Sequence, residues 1–124
     1  MPSKKASKSG PEAQSPKDRG FRRSVRASPR RQVIEHALCV LAPHIPDHER
    51  GAIVDHALAS PGLRTASGET AAWLSMVAYV RHALSDYDAL LAEGYDSASA
   101  RYFVASDIEA ILGAWGVKHP LGPY

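Results

Sequence analysis

The densest group of side chains able to do chemistry lies between residues 81 and 88, directly after a long apolar run. This segment holds two cations, two carboxylates and a phenol, from Arg81, His82, Asp86, Asp88 and Tyr87. A histidine beside a carboxylate can act as a general acid or base, with the carboxylate orienting the ring. The same residue types also suit helix ends. The segment is therefore either a chemical site or a structural junction.

Helix-end chemistry explains most of this segment without any catalysis. The two cations fall on the last turn of one predicted helix, and the two aspartates fall on the first turn of the next, as the helix dipole favours. Ser85 followed three residues later by Asp88 resembles a capping box, with Asp in place of the usual Glu or Gln. Tyr87 is not explained by capping. A half-buried ring with a hydrogen-bonded hydroxyl would account for it.

A catalytic site would need further polar side chains to converge on this segment. His56 lies in the middle of a predicted helix and could reach it, whereas Arg64 lies about 25 Å away along the third helix. His82 and Asp86 have a spacing that can bind a metal, but a helix break at Ser85 separates them. We find no zinc-type cluster and no nucleotide-binding or hydrolase motif. We therefore predict no metal site and no cofactor. We favour a non-enzymatic role, and enzymatic activity stays an open alternative.

The elements that position these residues are helical. Apolar residues recur at helical spacing in five stretches, each bounded by caps, prolines or glycines. The third stretch is apolar nearly all round, which is typical of the central helix of a bundle. We therefore predict an all-α fold, a compact bundle of four or five helices between residues 28 and 116. The predicted helices span residues 29–42, 47–60, 69–84, 86–93 and 97–115. Ser28 is the predicted N-cap of the first helix, and Gly116 is predicted to end the fifth. Leu74 is expected to widen the apolar stripe of the third helix, and Phe103 is expected alongside that of the fifth.

The flanking segments have a different composition. Residues 1–27 are rich in Ser, Lys, Arg, Pro and Gly, so we predict a disordered basic arm, and we expect an irregular C-terminal tail at 117–124. Residues 1–31 carry ten Lys or Arg against two acidic residues, net +8, whereas residues 32–124 carry net −6. Such an arm suits a polyanion, its own acidic body, or only solubility. The side chains predicted to contact nucleic acid are Lys4, Lys5, Lys8, Arg22, Arg23, Arg26, Arg30 and Arg31.

Compartment is indicated by what the chain lacks. The N-terminal charges are not followed by an apolar segment of the secretory type, and the longest apolar run is about half of a membrane span. Cys39 has apolar neighbours, which favours a buried inert thiol over a nucleophile. We predict a cytoplasmic protein with no membrane partner.

Several motifs from His56 onward resemble one family, and the resemblance covers residues 56–115. They are His56-Ala57, Ser60-Pro61-Gly62-Leu63-Arg64, Arg81-His82, Ser85-Asp86-Tyr87-Asp88, Leu90-Leu91, Gly94, Ala100-Arg101 and Trp115. In these motifs the chain is similar to domain of unknown function 2293, found in bacterial and fungal proteins. The resemblance implies a compact helical domain and supplies no activity. Members carry Thr where this chain has Ser85, and a second basic residue after the position of Arg64, which is missing here.

The resemblance includes Arg81, Tyr87 and Arg101, which capping does not require. Arg101 lies near the start of the fifth helix, where the helix dipole disfavours a cation. We therefore predict an ion pair from Arg101 to Asp86 or Asp88, which would clamp the third, fourth and fifth helices together.

Three functions remain open from the sequence. The first is a non-enzymatic nucleic-acid-associated binding module whose basic arm contacts phosphates. The second is a protein-interaction or homodimerising helical domain with a solubilising tail. The third is an enzyme with His82 or His56 as acid or base and Asp86 or Asp88 as the orienting group.

Overall fold

A computed structural model describes residues 28–118, and these residues contain five α-helices, one 3-10 turn and no strand. The predicted all-α class is confirmed, and each helix begins and ends close to its predicted bounds. The predicted disordered arm, 1–27, and the tail beyond Lys118 lie outside the described residues. The elements are α1 (Pro29–Leu41), α2 (Asp47–Ala59), the 3-10 turn Pro61–Leu63, α3 (Gly68–Ala83), α4 (Tyr87–Ala92) and α5 (Ser97–Ala114).

The start of α1 follows its predicted cap. The Oγ atom of Ser28 accepts a hydrogen bond from the backbone N–H of Arg31 at 3.4 Å, and Pro29 occupies the first helical position. The chain divides into two units between Gln32 and Val33. The packing described below is that of residues 33–118.

Helix α3 is the central helix, as its sequence predicts, since it packs against α2, α4 and α5. Met76, Val77 and Val80 are buried on α3, and its neighbours bury apolar rows of their own. Leu74 is exposed, because three neighbouring helices do not cover the whole circumference of α3. The buried residues on the neighbours are Ile53, Val54 and Ala57 of α2 and Ala100, Val104, Ile108 and Leu112 of α5.

A phenol–carboxylate hydrogen bond joins α2 to α3. The hydroxyl of Tyr79 donates to Oε1 of Glu49 at 2.5 Å, and the other oxygen of Glu49 lies 3.6 Å from Nε2 of His48. The hydrogen bond to Glu49 raises the pKa of Tyr79 above its usual value of 10.0, and partial burial and the nearby negative charge add to that rise. The sequence does not reveal this contact, because it joins residues thirty positions apart.

The end of α5 packs against the α1–α2 connection. Gly116 ends the helix with a φ of +87°, and a Cβ there would lie 2.9 Å from Cδ2 of His44 and 3.1 Å from the ring of Pro43. The backbone N–H of His44 donates to the carbonyl of Trp115 at 2.9 Å. The glycine predicted to end this helix therefore also permits a close approach of two chain segments.

The prediction that Cys39 is buried is wrong, because its thiol is exposed. The buried face of α1 is set by Ile34, Ala37 and Leu38, which follow helical spacing. Cys39 comes one residue after Leu38, about 100° further around the helix, and that turns it away from the core.

Candidate functional site

Ser85 forms the corner between α3 and α4. Its hydroxyl donates to the carbonyl of Arg81 at 2.5 Å and accepts from the backbone N–H of Tyr87 at 3.2 Å. One side chain therefore satisfies both the last turn of α3 and the first turn of α4, two places where backbone groups lack helical partners. Because both roles of the hydroxyl are already used, Ser85 is a poor nucleophile.

Neither aspartate caps α4, so that part of the capping explanation is wrong. Asp86 occupies the position before the helix but makes no side-chain hydrogen bond to it. Asp88 lies in the first turn, where its charge suits the helix dipole, and its carboxylate bonds to His82. Capping thus explains Ser85, whereas Asp88 is used in a side-chain pair.

His82 and Asp88 form the most site-like contact of the segment. Nδ1 of His82 lies 2.7 Å from Oδ1 of Asp88, with 52% and 60% of the two side chains exposed. A carboxylate at Nδ1 orients an imidazole and leaves Nε2 to exchange a proton, which is the arrangement of a general base and its orienting group. Because both side chains are largely in water, the pair adds little to stability.

Tyr87 anchors this corner in the core and is only 5% exposed. Its ring meets His82 edge-on, with centroids 5.2 Å apart, and Cζ of Arg81 lies 5.4 Å from its centroid. Nε and Nη1 of Arg81 are buried beside it. The sequence suggested a half-buried ring, but Tyr87 is buried. Its geometry is that of a buried ring covered by two cation-forming side chains.

Two of the sequence-predicted site residues stay apart from this cluster. Arg101 is exposed on α5 and forms no ion pair with Asp86 or Asp88 in the described part of the chain, so the predicted clamp is wrong. Asp88 pairs with His82 instead, which lies nearer in the fold. His56 is exposed in the last turn of α2 and makes no contact with the cluster within residues 28–118.

The surroundings of the cluster limit its chemistry. A groove beside the cluster has a volume of about 280 Å³ and includes Ser85 and Asp86 but not His82. Its other lining residues are Leu84, Asp107, Ala110 and Ile111. Within residues 28–118 no three His, Cys, Asp or Glu side chains are placed to hold a metal ion. The His82–Asp88 pair could move a proton, but neither of its side chains lines this groove.

An exposed aromatic surface is the feature that sequence reasoning missed. The rings of Tyr95 and Tyr102 both meet Phe103 edge-on, at centroid distances of 5.4 and 5.7 Å. We expected Phe103 beside the buried row of α5, but that row is filled by Ala100 and Val104. The sequence does contain a pattern that indicates this surface. Residues 102 and 103 lie between the core positions Ala100 and Val104 of one helix, so both face away from the core.

Most of the residues predicted to bind nucleic acid lie outside the part of the chain that the structure describes. Arg30 and Arg31 lie in the first turn of α1, which has no acidic residue. The other six lie in residues 1–27 and thus outside the described residues: Lys4, Lys5, Lys8, Arg22, Arg23 and Arg26. None of the described helices is both long and apolar enough to cross a bilayer.

Comparison with known protein families identifies a match over most of the described helices. The family model described as "Uncharacterized conserved protein (DUF2293)" matches residues 37–116, from the middle of α1 to the glycine after α5. The predicted resemblance is confirmed, and it extends further toward the N-terminus than His56. No curated protein and no solved structure matches the chain significantly.

Proposed function

We propose that this chain, which belongs to the DUF2293 family of uncharacterised conserved proteins, is a non-enzymatic binding module that associates with nucleic acid. In this proposal residues 1–31 contact the phosphates and the helical body recruits or orients a partner. The charges and contacts of this chain support the proposal.

The separation of charge along the chain carries the proposal. Residues 1–31 have net charge +8, and residues 32–124 have five basic and eleven acidic residues, net −6. A phosphate backbone binds clustered Lys and Arg largely by releasing its counterions, and it is repelled by carboxylates. The expected contact with nucleic acid is therefore confined to the N-terminal segment.

The start of α1 supports this assignment. Arg30 and Arg31 lie in the first turn, where the helix dipole makes a cation unfavourable and an anion favourable. The positive end of the helix dipole attracts phosphate oxygens. Arginines at this position strengthen the attraction of the segment for a phosphate.

Binding to labelled nucleic acid tests the proposal. We would measure fluorescence anisotropy with mixed-sequence duplex DNA, single-stranded DNA and single-stranded RNA, each at 50 and 200 mM NaCl. With five or more phosphates neutralised, affinity is expected to fall by roughly two to three orders of magnitude between these salt concentrations. Affinity that does not depend on salt would contradict the proposal.

Two matched triple variants show which part of the chain binds nucleic acid. Replacing Arg22, Arg23 and Arg26 by Gln should weaken binding to all three nucleic acids, since contacts to phosphates carry no sequence information. The control replaces Arg50, Arg64 and Arg101 by Gln, which removes the same charge from the body. Equal losses in the two triple variants would place the binding surface on the body and refute the assignment to residues 1–31.

Acid–base catalysis at His82 is a second candidate, favoured by its 2.7 Å contact with Asp88. The exposure of both side chains and the use of the Ser85 hydroxyl weigh against it. A screen of activated esters and phosphate esters would compare the wild type with His82→Gln. Turnover lost in the variant would support catalysis, whereas turnover retained would remove His82 from consideration.

A further inference from the structure

Three aromatic side chains form an exposed cluster on and beside α5, here called the aromatic face: Tyr95, Tyr102 and Phe103. Their exposed fractions are 45%, 78% and 54%. The three rings contact one another edge to face, so the cluster is continuous across the surface. Exposed aromatic clusters are costly in water, and they are enriched at surfaces that bind a partner.

The aromatic face is flanked by carboxylates on the same helix surface. Asp107 lies one turn after Phe103, and Glu109 lies two turns after Tyr102, so both follow the rings along the exposed side of α5. All four side chains are exposed. The buried positions of the helix are on the opposite side. A partner lying along α5 would meet the rings first and then the negative charges about one to two turns further along the helix.

The charge around this surface has one sign. Between residues 86 and 109 the chain has six Asp or Glu and a single basic residue, Arg101, net −5. The groove of about 280 Å³ continues the surface, since Asp107 and Asp86 both line it. Its walls combine two carboxylates with the apolar atoms of Leu84 and Ile111, which suits a long side chain that ends in a cation.

We propose that the aromatic face and this groove bind an arginine-rich segment of a protein partner. A guanidinium group stacks on Tyr and Phe rings, and its charge is attracted by the carboxylates beside them. A long basic side chain placed in the groove would put its cation between Asp86 and Asp107. The proposed site consists of the α3–α4 connection, Tyr95 and the exposed side of α5, so it goes beyond the proposed contact between nucleic acid and residues 1–31.

A stacking platform for nucleic-acid bases is the competing use of exposed rings. Such platforms combine aromatic side chains with a positively charged groove that follows the phosphates. Here the groove and its surroundings carry carboxylates, and repulsion of phosphate disfavours a strand lying along α5. Charge complementarity therefore selects a cationic peptide as the occupant.

Peptide binding to the full chain tests this proposal. The probes are three fluorescein-labelled twelve-residue peptides of alternating residues, with Arg-Gly, Lys-Gly or Glu-Gly repeats. We expect weak binding of the arginine peptide, several-fold weaker binding of the lysine peptide and no binding of the glutamate peptide, because the planar guanidinium stacks better than an ammonium group. No binding of the arginine peptide at 1 mM would overturn the proposal.

Single substitutions separate stacking from simple charge attraction. Phe103→Leu keeps an apolar side chain but removes the ring. It should weaken binding of the arginine peptide about fivefold, as loss of one cation–π contact implies. Tyr102→Phe keeps the ring and should change affinity less than twofold. Asp107→Asn should also weaken binding, whereas Glu69→Gln, at an exposed carboxylate on α3, should not.

Two further results would assign the aromatic face to another occupant. Single-stranded oligonucleotide binding that is lost in Phe103→Leu but kept in Asp107→Asn would make the surface a base-stacking platform. A concentration-dependent dimer in light scattering that Phe103→Leu dissociates would give the surface to a second copy of the chain. Either result would overturn the arginine-peptide proposal and leave the binding of nucleic acid by residues 1–31 as a separate question.

Discussion

At the scale of single residues, the α3–α4 corner separates side chains that stabilise the fold from side chains that face the solvent. Tyr87 is buried beneath Arg81 and His82, whereas His82 and Asp88 pair in water. Burial of an aromatic ring is worth several times an exposed ion pair. The polar density of this segment therefore reflects a covered aromatic anchor more than a reactive centre.

Unfolding experiments at this corner should show that difference. Asp88→Asn should lower the free energy of unfolding by at most about 0.5 kcal/mol, because the pair is exposed. Tyr87→Ala should lower it by about 3 kcal/mol, because it removes a buried ring and leaves a cavity. Urea denaturation followed by tryptophan fluorescence would measure both. A decrease in the free energy of unfolding of more than 2 kcal/mol for Asp88→Asn would show that the pair stabilises the fold.

The contact between Tyr79 and Glu49 gives a second prediction. Tyr79→Phe should destabilise the fold by about 1 kcal/mol, a value at the low end for a hydrogen bond to a charged group because the pair is partly solvated. Tyr102→Phe, which removes an exposed hydroxyl, is the control and should leave stability unchanged.

The same contact predicts a dependence of stability on pH. The pKa of Tyr79 is higher in the folded chain than its usual value near 10, so its contribution to stability is complete below pH 10. That contribution is lost as the pH rises through the folded-state pKa. The difference in stability between wild type and Tyr79→Phe should therefore shrink at high pH. A difference that grows above pH 10 would contradict the contact.

The sequence predicts some contacts of single residues and not others. The neighbourhood of His82 and Tyr87 was predictable, because the two residues flank one helix break. The partner of Arg101 was not predictable. The helix dipole shows that a cation is unfavourable at this position, but it does not show which anion lies near it in space. Asp88 pairs with His82, which the enzyme hypothesis had allowed, and not with Arg101.

At the scale of elements, helix bounds followed from local chemistry. Ser28-Pro29 begins α1, Asp96 caps α5 through the N–H of Ser99, and glycines with positive φ follow α4 and α5. The N–H of Ser99 also lowers the pKa of the Asp96 carboxyl. These signals act within a few residues, so the sequence is sufficient to place them.

The buried side of a helix is less predictable than its bounds. Leu74, Phe103 and Cys39 were expected in or beside the core and are exposed. Residue type gives the free energy that burial would yield, but a neighbouring helix must lie over the position for that burial to occur. The small number of helices leaves part of α1, α3 and α5 uncovered.

A pair of glycine substitutions tests the packing of the α5 end. Gly116→Ala should destabilise the fold by about 2 kcal/mol, because φ is +87° and the new Cβ would approach His44 to 2.9 Å. Gly113→Ala is the matched control, one turn earlier in α5, where a Cβ would meet no atom within 4 Å other than the backbone of its own helix.

Gly113→Ala should be neutral or stabilising by up to about 1 kcal/mol, since alanine favours the helix. Equal effects of the two substitutions in urea denaturation would show that the α5 end does not pack against the α1–α2 connection.

At the scale of the whole molecule, charge is divided along the chain. Ten of the fifteen basic residues lie in residues 1–31, and eleven of the thirteen acidic residues lie in residues 32–124. Composition alone predicts this division. The arrangement of rings and carboxylates on α5 becomes visible only in the folded structure, because it depends on which helix faces are covered. The two proposed surfaces suit partners of opposite charge.

The salt dependence of nucleic-acid binding tests the central proposal most directly. The measurement is the slope of log Kobs against log [NaCl] for duplex DNA, with the full chain and with a variant lacking residues 2–27, which removes eight of the ten basic residues of the segment. Our account predicts a slope of about −4 to −7 for the full chain and about −2 or shallower for the variant. Equal slopes for the two proteins, or no measurable binding by the full chain at 50 mM NaCl, would contradict it.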